Sequence, residues 1–173
     1  MGLAATTTVV KYNEGYSLPA YKDSAGVWTQ CYGETKGVVP GSVKTPAECE
    51  KQLQESLRAH GVGLDGLRPD TPVVAGLGAL DMAYNVGVSG FNNSKVKRLM
   101  VVGDYTAASA AVLDWRYITV KKNGVPVKYD CSAFVGGKPN KVCYGLWKRR
   151  VWQSNAIGLK YKSVEDAVHH LPK

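Results

Sequence analysis

The stretch EGYSLPAYKDSAGVWT, residues 14–29, decides the fold. Glu14 follows a short apolar segment, and Asp23 lies in a run rich in Tyr, Val, Trp and Thr, which is typical of a β-hairpin. Gly26 lies between the two arms and Thr29 follows on the returning arm. The pattern therefore predicts a hairpin that holds one carboxylate opposite another, which comes from the preceding element.

Two carboxyl groups on different elements can lie several ångströms apart across a cleft. Cleavage of a glycosidic bond uses such a pair, with one group protonated as an acid and the other ionised. Taken alone, a Glu and an Asp nine residues apart are more often two unrelated surface charges. The surrounding sequence has to decide between these two interpretations.

The pattern Glu14-x8-Asp23-x5-Thr29, followed by Gln30-Cys31-Tyr32-Gly33-Glu34-Thr35, resembles the phage lysozymes of glycoside hydrolase family 24, in particular endolysins of lambdoid-type phages. Further segments match in order along roughly residues 9–157: Thr45-Pro46-Ala47-Glu48-Cys49, Ala79 to Phe91, Gly103-Asp104-Tyr105 and Gly145 to Arg150. The chain departs from the pattern at one position, because relatives commonly carry His where Glu34 stands.

The resemblance implies a role for each residue of the catalytic pattern. Glu14 would be the general acid, and Asp23 would stay ionised and stabilise the positive charge that develops on the sugar. Thr29 would help Asp23 to position the attacking water; a hydroxyl is too weak a base to do more. For Glu34 we expect a structural role, paired with a cation or with backbone amides, rather than a catalytic one.

The resemblance also indicates side chains that would contact the glycan. Asp81 and Asn85 share one face of a predicted helix, where they are either core polar groups with internal partners or sugar ligands. In the run Lys148–Arg150, a solvated basic face is the common interpretation, and one arginine facing a carboxylate or a polymer is the alternative. The expected substrate-binding residues are Asp81, Tyr84, Asn85, Phe91 and Arg149.

The expected architecture is an α+β, mainly α, lysozyme-like fold. One catalytic domain would span residues 1–173, with a small lobe at about 13–60 that contains the hairpin and a linking helix. Residues 1–12 and 61–173 would form the larger helical lobe. Local signals agree: Thr45 to Glu48 predicts a capped helix start, 73–86 a buried helix opened by Asp70-Thr71-Pro72, and Asn123-Gly124 a tight turn. Helix caps are further expected at Ser94, Asp104 and Ser163.

Composition and motifs narrow the class of partner that the protein binds. A formal charge of +8 favours an anionic partner, but no RNA-recognition or zinc-finger signature supports nucleic acid. His60, His169 and His170 lack metal-site spacing from the cysteines, so we expect neither metal nor cofactor. The longest apolar stretch is too short to span a bilayer. We expect a monomer that is made in the host cytoplasm and acts on the peptidoglycan glycan strand in the periplasm and cell wall.

The four cysteines, Cys31, Cys49, Cys131 and Cys143, form no Cys-x-x-Cys motif. An even number in a protein expected to act outside the cytoplasm favours two disulfides, and buried free thiols remain the alternative. Of the three possible connectivities, Cys31–Cys49 with Cys131–Cys143 closes the shortest loops.

The function that the resemblance implies is that of an endolysin, a muramidase that hydrolyses the β-1,4 bond between N-acetylmuramic acid and N-acetylglucosamine during host lysis. Two alternatives stay open. A lytic transglycosylase would use the same glutamate but expel the leaving group with the sugar's own 6-hydroxyl. A non-enzymatic basic module would disrupt the wall or membrane through the Lys148–Arg150 region and the C-terminal helix.

Overall fold

The computed structural model describes residues 3–23 and 26–172. Residues 1, 2, 24, 25 and 173 lie outside this description, and with them Ser24 and Ala25 of the predicted hairpin. The helices are α1 (Leu3–Asn13), α2 (Pro46–Gly61), α3 (Val73–Val86), α4 (Val88–Asn92), α5 (Lys95–Val101), α6 (Tyr105–Val112), α7 (Tyr144–Ile157) and α8 (Val164–His169). The strands are β1 (Ser17–Lys22), β2 (Trp28–Cys31), β3 (Tyr117–Lys122), β4 (Val125–Asp130), β5 (Phe134–Val135) and β6 (Lys138–Pro139). The predicted mainly helical α+β class is confirmed.

The predicted helix starts are confirmed by their hydrogen bonds. At α2 the Thr45 hydroxyl accepts from the Glu48 amide at 3.3 Å, and the Glu48 carboxylate accepts from the Thr45 amide at 2.7 Å. This reciprocal capping box satisfies two amides that the helix leaves unpaired. Three further helices carry the expected side-chain caps, namely Ser94, Asp104 and Ser163.

Helix α3 is the centre of the molecule. Its residues from Val74 to Ala83 are all buried, which confirms the prediction of a helix buried on every side. The predicted opening differs in detail: Pro72 occupies the N-cap position, and no side chain caps the helix. The Asp70 carboxylate accepts two hydrogen bonds from Arg68, each 2.8 Å long.

Among the described residues, the apolar interior consists of three clusters that meet along α3. One cluster joins α3 to helices α4 to α7 around Phe91 and Met100, and the second joins it to α1, α7 and α8 around Trp152. The third is smaller and connects α1 to α2, with Val10, Leu53 and Leu57 as its buried members. Since α1 contributes to the second and third clusters, its C-terminal end, where Glu14 follows, is fixed from two sides. The division into two lobes stays a prediction.

The three strand pairs are antiparallel hairpins. At the β3–β4 turn, Asn123 and Gly124 both have positive φ, 51° and 80°, as the predicted tight turn requires. Both expected disulfides are present and confirm the short-loop connectivity. Cys31–Cys49 ties the end of β2 to the first turn of α2, and Cys131–Cys143 closes the β5–β6 segment ahead of α7.

Helices α3 and α7 approach closely at Gly78. A Cβ at this position would lie 2.9 Å from the Ala156 Cβ and 3.2 Å from the Gln153 carbonyl oxygen. Real Cβ atoms do not tolerate such contacts, so a side chain here would push the two helices apart. The glycine is required by packing rather than by backbone conformation.

We therefore expect Gly78→Ala to lower the free energy of unfolding by about 1–3 kcal/mol through overpacking. Gly145→Ala is the matched control, because Gly145 is also helical but nothing lies within 4 Å of the added Cβ. That variant should be neutral or more stable by up to about 1 kcal/mol. Urea unfolding of both variants measures the difference, and equal losses would contradict the close approach of α3 and α7.

Candidate active site

Glu14 is the first residue after α1, and its backbone amide donates to the Val10 carbonyl at 2.9 Å. Because Val10 is fully buried, this bond fixes the glutamate relative to the interior. Its side chain is 19% exposed, so one part faces solvent and the rest is held by the protein. The residue is therefore positioned as an accessible carboxyl group on a rigid base.

Two groups from distant parts of the chain hold the Glu14 carboxylate. The Arg149 guanidinium of α7 donates to Oε1 at 2.6 Å. On the other side, Gly33 packs against the carboxylate, and a Cβ there would lie 2.9 Å from Oε2. Gly33 has a φ of 78°, so glycine suits this position both by its conformation and by its small size.

Arg149 is itself held by a buried carboxylate on α3. Its Nε and Nη2 donate to the two oxygens of Asp81 at 3.0 and 2.8 Å, a bidentate arrangement that fixes the guanidinium plane. Asp81 has no exposed surface and accepts two further bonds, from Gln153 at 2.6 Å and Asn13 at 3.3 Å. Asp81 is thus a fully satisfied core carboxylate that orients Arg149.

Burial and neighbouring charges shift the pKa values of Arg149 and Arg150. Burial alone would lower the pKa of Arg149, but the adjacent carboxylates of Asp81 and Glu14 outweigh burial and hold that pKa above its usual range. Burial, with a smaller effect from the positive charge of Arg149, lowers the pKa of Arg150 to about 10. Both guanidinium groups are therefore charged at neutral pH.

Arg150 extends the network toward Asn85. Its Nη2 donates to the Asn85 side-chain oxygen at 2.6 Å, and its Nε donates to the Trp115 carbonyl at 3.0 Å. The expectation that one arginine of the basic run faces a carboxylate is confirmed at Arg149, whereas Arg150 faces neutral acceptors. The alternative of a solvated basic face is wrong for both residues, because they are buried.

Two of the expected substrate-binding residues, Phe91 and Asp81, have no exposed surface. Phe91 packs in the main apolar cluster, and Asp81 binds Arg149. We correct these two assignments: Phe91 belongs to the core, and Asp81 orients Arg149. Arg149 is 5% exposed but lines the cavity beside Glu14, and its contact with substrate stays a prediction.

Tyr84 and Asn85 remain candidates for substrate contact. The Tyr84 hydroxyl donates to the Tyr32 carbonyl at 3.1 Å. Burial and then the negative charge of Glu14 raise the pKa of Tyr84 to about 12, so the phenol stays protonated. Asn85 lines a cavity of about 430 Å³ together with Glu14. The other residues around this cavity are Tyr12, Asn13, Gly145, Leu146, Lys148, Arg149 and Pro172.

The hairpin positions Asp23 and Thr29 through the same residue, Val27. The Asp23 carboxylate accepts from the Val27 amide at 2.9 Å, and the Thr29 hydroxyl donates to the Val27 carbonyl at 3.1 Å. Thr29 is buried and pairs with Tyr21 across the two strands. These bonds and the strand pairing hold both residues in place in the hairpin. Their catalytic roles stay predictions.

Glu34 has the local partners that a structural role requires. Its Oε1 accepts from the amides of Thr35 and Lys36, each at 3.1 Å, and its backbone pairs with Gln30 in both directions. The prediction that the carboxylate pairs with backbone amides is confirmed. Glu34 closes the turn that presents Gly33 to Glu14.

The described residues contain no group of three or more His, Cys, Asp or Glu that could hold a metal ion. Within the same ranges, no helix is long and apolar enough to cross a membrane.

The sequence profile described as phage lysozyme matches residues 11–153, which include Glu14, the hairpin and Arg149. The chain belongs to the phage lysozyme family. An endolysin from Acyrthosiphon pisum secondary endosymbiont phage 1 is 30% identical over 121 residues, 69% of this chain and 82% of that protein. The SAR-endolysin of Enterobacteria phage P21 is 33% identical over 106 residues, 60% of this chain and 64% of that protein. This chain thus spans less than two thirds of the length of that relative.

Solved structures agree with the phage lysozyme fold. The endolysin from Escherichia coli O157:H7 phage FAHEc1 superposes with a TM-score of 0.72 at 23% identity, over 91% of this chain and 93% of that one. A variant of P22 lysozyme gives a TM-score of 0.62 at 25% identity, over 88% and 94%. The lysozyme-like fold expected from the sequence is confirmed.

If Glu14 is the catalytic acid, we expect Gly33→Ala to reduce wall-lytic activity at least tenfold, because the added methyl group displaces the Glu14 carboxylate and small misplacements cost up to ~100-fold. Gly37→Ala is the matched control: its φ is 68°, and nothing lies within 4 Å of the added Cβ. Both variants should lose about 1 kcal/mol of stability from the left-handed backbone. Activity and urea unfolding separate the two effects, and equal activities would contradict the contact.

Removing the Arg149 guanidinium should lower the free energy of unfolding far more than Gly33→Ala does. Arg149→Met leaves Asp81 as a buried carboxylate without its cation, and we expect a loss of about 3–5 kcal/mol in the free energy of unfolding. The exposed Arg58→Met on α2 should change it by less than about 0.5 kcal/mol. Adding Asp81→Asn to Arg149→Met should restore part of the loss; if it restores none, Asp81 is not what Arg149 stabilises.

Proposed function

We propose that the protein is an endolysin that hydrolyses the β-1,4 bond between N-acetylmuramic acid and N-acetylglucosamine in peptidoglycan. The observation that carries the proposal is the partly exposed Glu14 carboxyl group, held by Arg149 and Gly33 at the wall of a cavity of about 430 Å³. Family membership and the endolysin names of the relatives support it.

Glu14 acts as the general acid and protonates the glycosidic oxygen as the bond breaks. Because Asp81 already engages Arg149 through two hydrogen bonds, the guanidinium stays in place when Glu14 gains or loses its proton.

Asp23 stabilises the oxocarbenium-like charge, and Thr29 helps it to orient the water. The hydrogen bonds of both side chains to Val27 support a fixed geometry for this pair. Water attack from the face opposite the leaving group requires about 6.5–9.5 Å between the two carboxyl groups and gives an inverted product. Tyr84 and Asn85 contact the sugar at the Glu14 side.

The substrate is the glycan strand, the protein acts as a monomer, and its site of action is the periplasm and cell wall of the bacterial host. A single domain with two lobes, divided near residue 60, fits this activity because a polymer chain can lie between the lobes. The positive net charge suits the anionic bacterial envelope.

Glu14→Gln should abolish lysis while the protein still folds and binds wall. The amide preserves the shape and can accept from Arg149, but it has no proton to donate to the leaving oxygen. General acid catalysis contributes about 10²–10⁴-fold, so we expect at least a 100-fold loss in turbidity clearing of permeabilised Gram-negative cells. The exposed Glu55→Gln on α2 is the control and should keep full activity.

Products released from purified sacculi distinguish the alternatives. Mass spectrometry should find reducing N-acetylmuramic acid ends, and the first anomer detected by NMR should be inverted. 1,6-Anhydro ends would instead indicate a lytic transglycosylase, for which Asp23 and Thr29 have no function. Full lysis by Glu14→Gln would indicate the non-enzymatic module.

A further inference from the structure

The positive charge of the protein is concentrated in one segment. Residues 116–142, which we call the basic hairpin segment, contain six basic residues and one acidic residue. The segment thus carries five of the eight net positive charges of the chain. Its acid, Asp130, already pairs with Arg116 at 3.2 Å, so the lysines define the outer charge of the segment.

The same segment also exposes large apolar side chains. Val135 is 70% exposed, Phe134 is 59% exposed and Val142 is 51% exposed. Phe134 and Val135 form the short strand β5, which is followed directly by the turn Gly136-Gly137. Apolar side chains at a hairpin end, next to lysines, form a surface that is apolar and cationic at once.

A groove of about 460 Å³ connects the two hairpins of this segment. Val135, Pro139 and Val142 contribute apolar walls, and Lys128, Lys138 and Lys141 lie around it. Lys128 is held in position because its ammonium group lies 4.3 Å from the centre of the Tyr117 ring, a cation–π contact. Lys138 and Lys141 are both exposed.

We propose that the basic hairpin segment binds the surface of a bilayer that contains anionic phospholipids. The lysine ammonium groups would contact the lipid phosphates, and Phe134, Val135 and Val142 would enter the boundary between headgroups and acyl chains. Exposed aliphatic residues together with lysines are typical of interfacial binding, which combines apolar burial with attraction to anionic lipid.

The aliphatic residues favour a bilayer over a wall polymer. Sugar rings bind proteins mainly through hydrogen bonds and aromatic faces; of the three exposed apolar side chains only Phe134 has an aromatic face, and the two valines offer neither. An acidic polymer would need only the lysines and would leave the exposed valines uncovered, whereas a bilayer covers both. The proposal is independent of the proposed glycan cleavage, because Glu14 and its partners lie outside this segment.

Sedimentation of the full chain with vesicles tests the proposal. Protein should sediment with phosphatidylglycerol vesicles and stay in solution with phosphatidylcholine vesicles. Binding to phosphatidylglycerol should fall steeply with salt, because screening shortens the range of the lysine charges from about 10 Å at 0.1 M to about 3 Å at 1 M. Equal sedimentation with both lipids, or no sedimentation with either, would overturn the proposal.

Variants then locate the contact. Lys138→Gln with Lys141→Gln should weaken partitioning about 30-fold, since each lysine near an anionic surface contributes about 1 kcal/mol. The matched control, Lys160→Gln with Lys162→Gln, removes the same charge from exposed positions outside the segment and should change partitioning less than about 3-fold, the effect of net charge alone. Equal losses in the two double variants would show that only net charge matters and would overturn the assignment.

The apolar contribution has its own pair of variants. Val135→Ser should weaken partitioning about tenfold through the lost apolar burial, and Val39→Ser, at a 62% exposed position in the small loop before α2, should have no effect. Thermal melting of each variant should match the parent.

Two further measurements separate other partners from a bilayer. Inorganic phosphate that displaces the protein from vesicles at constant ionic strength would indicate a phosphate site instead. Loss of binding to purified sacculi by Lys138→Gln with Lys141→Gln, in a Glu14→Gln background and with vesicle binding unchanged, would indicate a wall polymer. Vesicle binding by Glu14→Gln itself should equal that of the parent, so failure of the catalytic proposal leaves this one testable.

Discussion

The buried ion pair between Asp81 and Arg149 is the interaction on which the rest of the site depends. A carboxylate with no exposed surface is tolerated only when its charge is matched and its oxygens are hydrogen-bonded, and Asp81 meets both conditions through four donors. The pair joins α3 to α7 at the centre of the molecule. Neither residue can be removed alone without leaving a buried charge, so the site and the core are specified together.

This arrangement explains how a surface glutamate becomes rigid. Glu14 lies just beyond the end of α1, where a side chain would normally sample several rotamers. The fixed guanidinium of Arg149 holds one carboxylate oxygen, and the backbone at Gly33 limits the other. Gly33 in turn is placed by the turn that Glu34 closes and by the Cys31–Cys49 disulfide, so covalent and polar constraints act on the same loop.

Local features of the fold could be predicted from the sequence because they depend on neighbouring residues. The capping box at Thr45, the caps at Ser94 and Asp104 and the turn at Asn123 involve groups within four residues of one another. Loop length favoured the observed disulfide connectivity, and the fold decided it. The opening of α3 was the exception, because Pro72 occupies the N-cap position without a side-chain cap and the Asp70 carboxylate binds Arg68.

The site was predicted only in part, because its decisive contacts join distant residues. Asp81 and Arg149 are 68 positions apart, and helical spacing showed that Asp81 shares a face with Asn85 but not which cation it meets. The same limit explains Phe91, whose motif position gave no information on its burial. For the basic run that contains Arg149, the sequence allowed either a solvated face or an arginine that meets a carboxylate. The second interpretation pointed toward the Asp81–Arg149 pair, and only the fold decided between the two.

The formal charge of +8 likewise follows from composition, but the sequence does not show which basic residues are buried and which lie on the surface. Arg149 is neutralised inside the protein by two carboxylates, and Arg150 is buried against neutral acceptors. Both arginines are therefore engaged inside the protein, Arg149 by Asp81 and Glu14 and Arg150 by Asn85 and the Trp115 carbonyl. The lysines of residues 116–142 are different, because their one acidic neighbour is already engaged by Arg116. The positive charge on the surface is therefore concentrated in the hairpins of residues 116–142 rather than in α7, where the basic run Lys148–Arg150 lies.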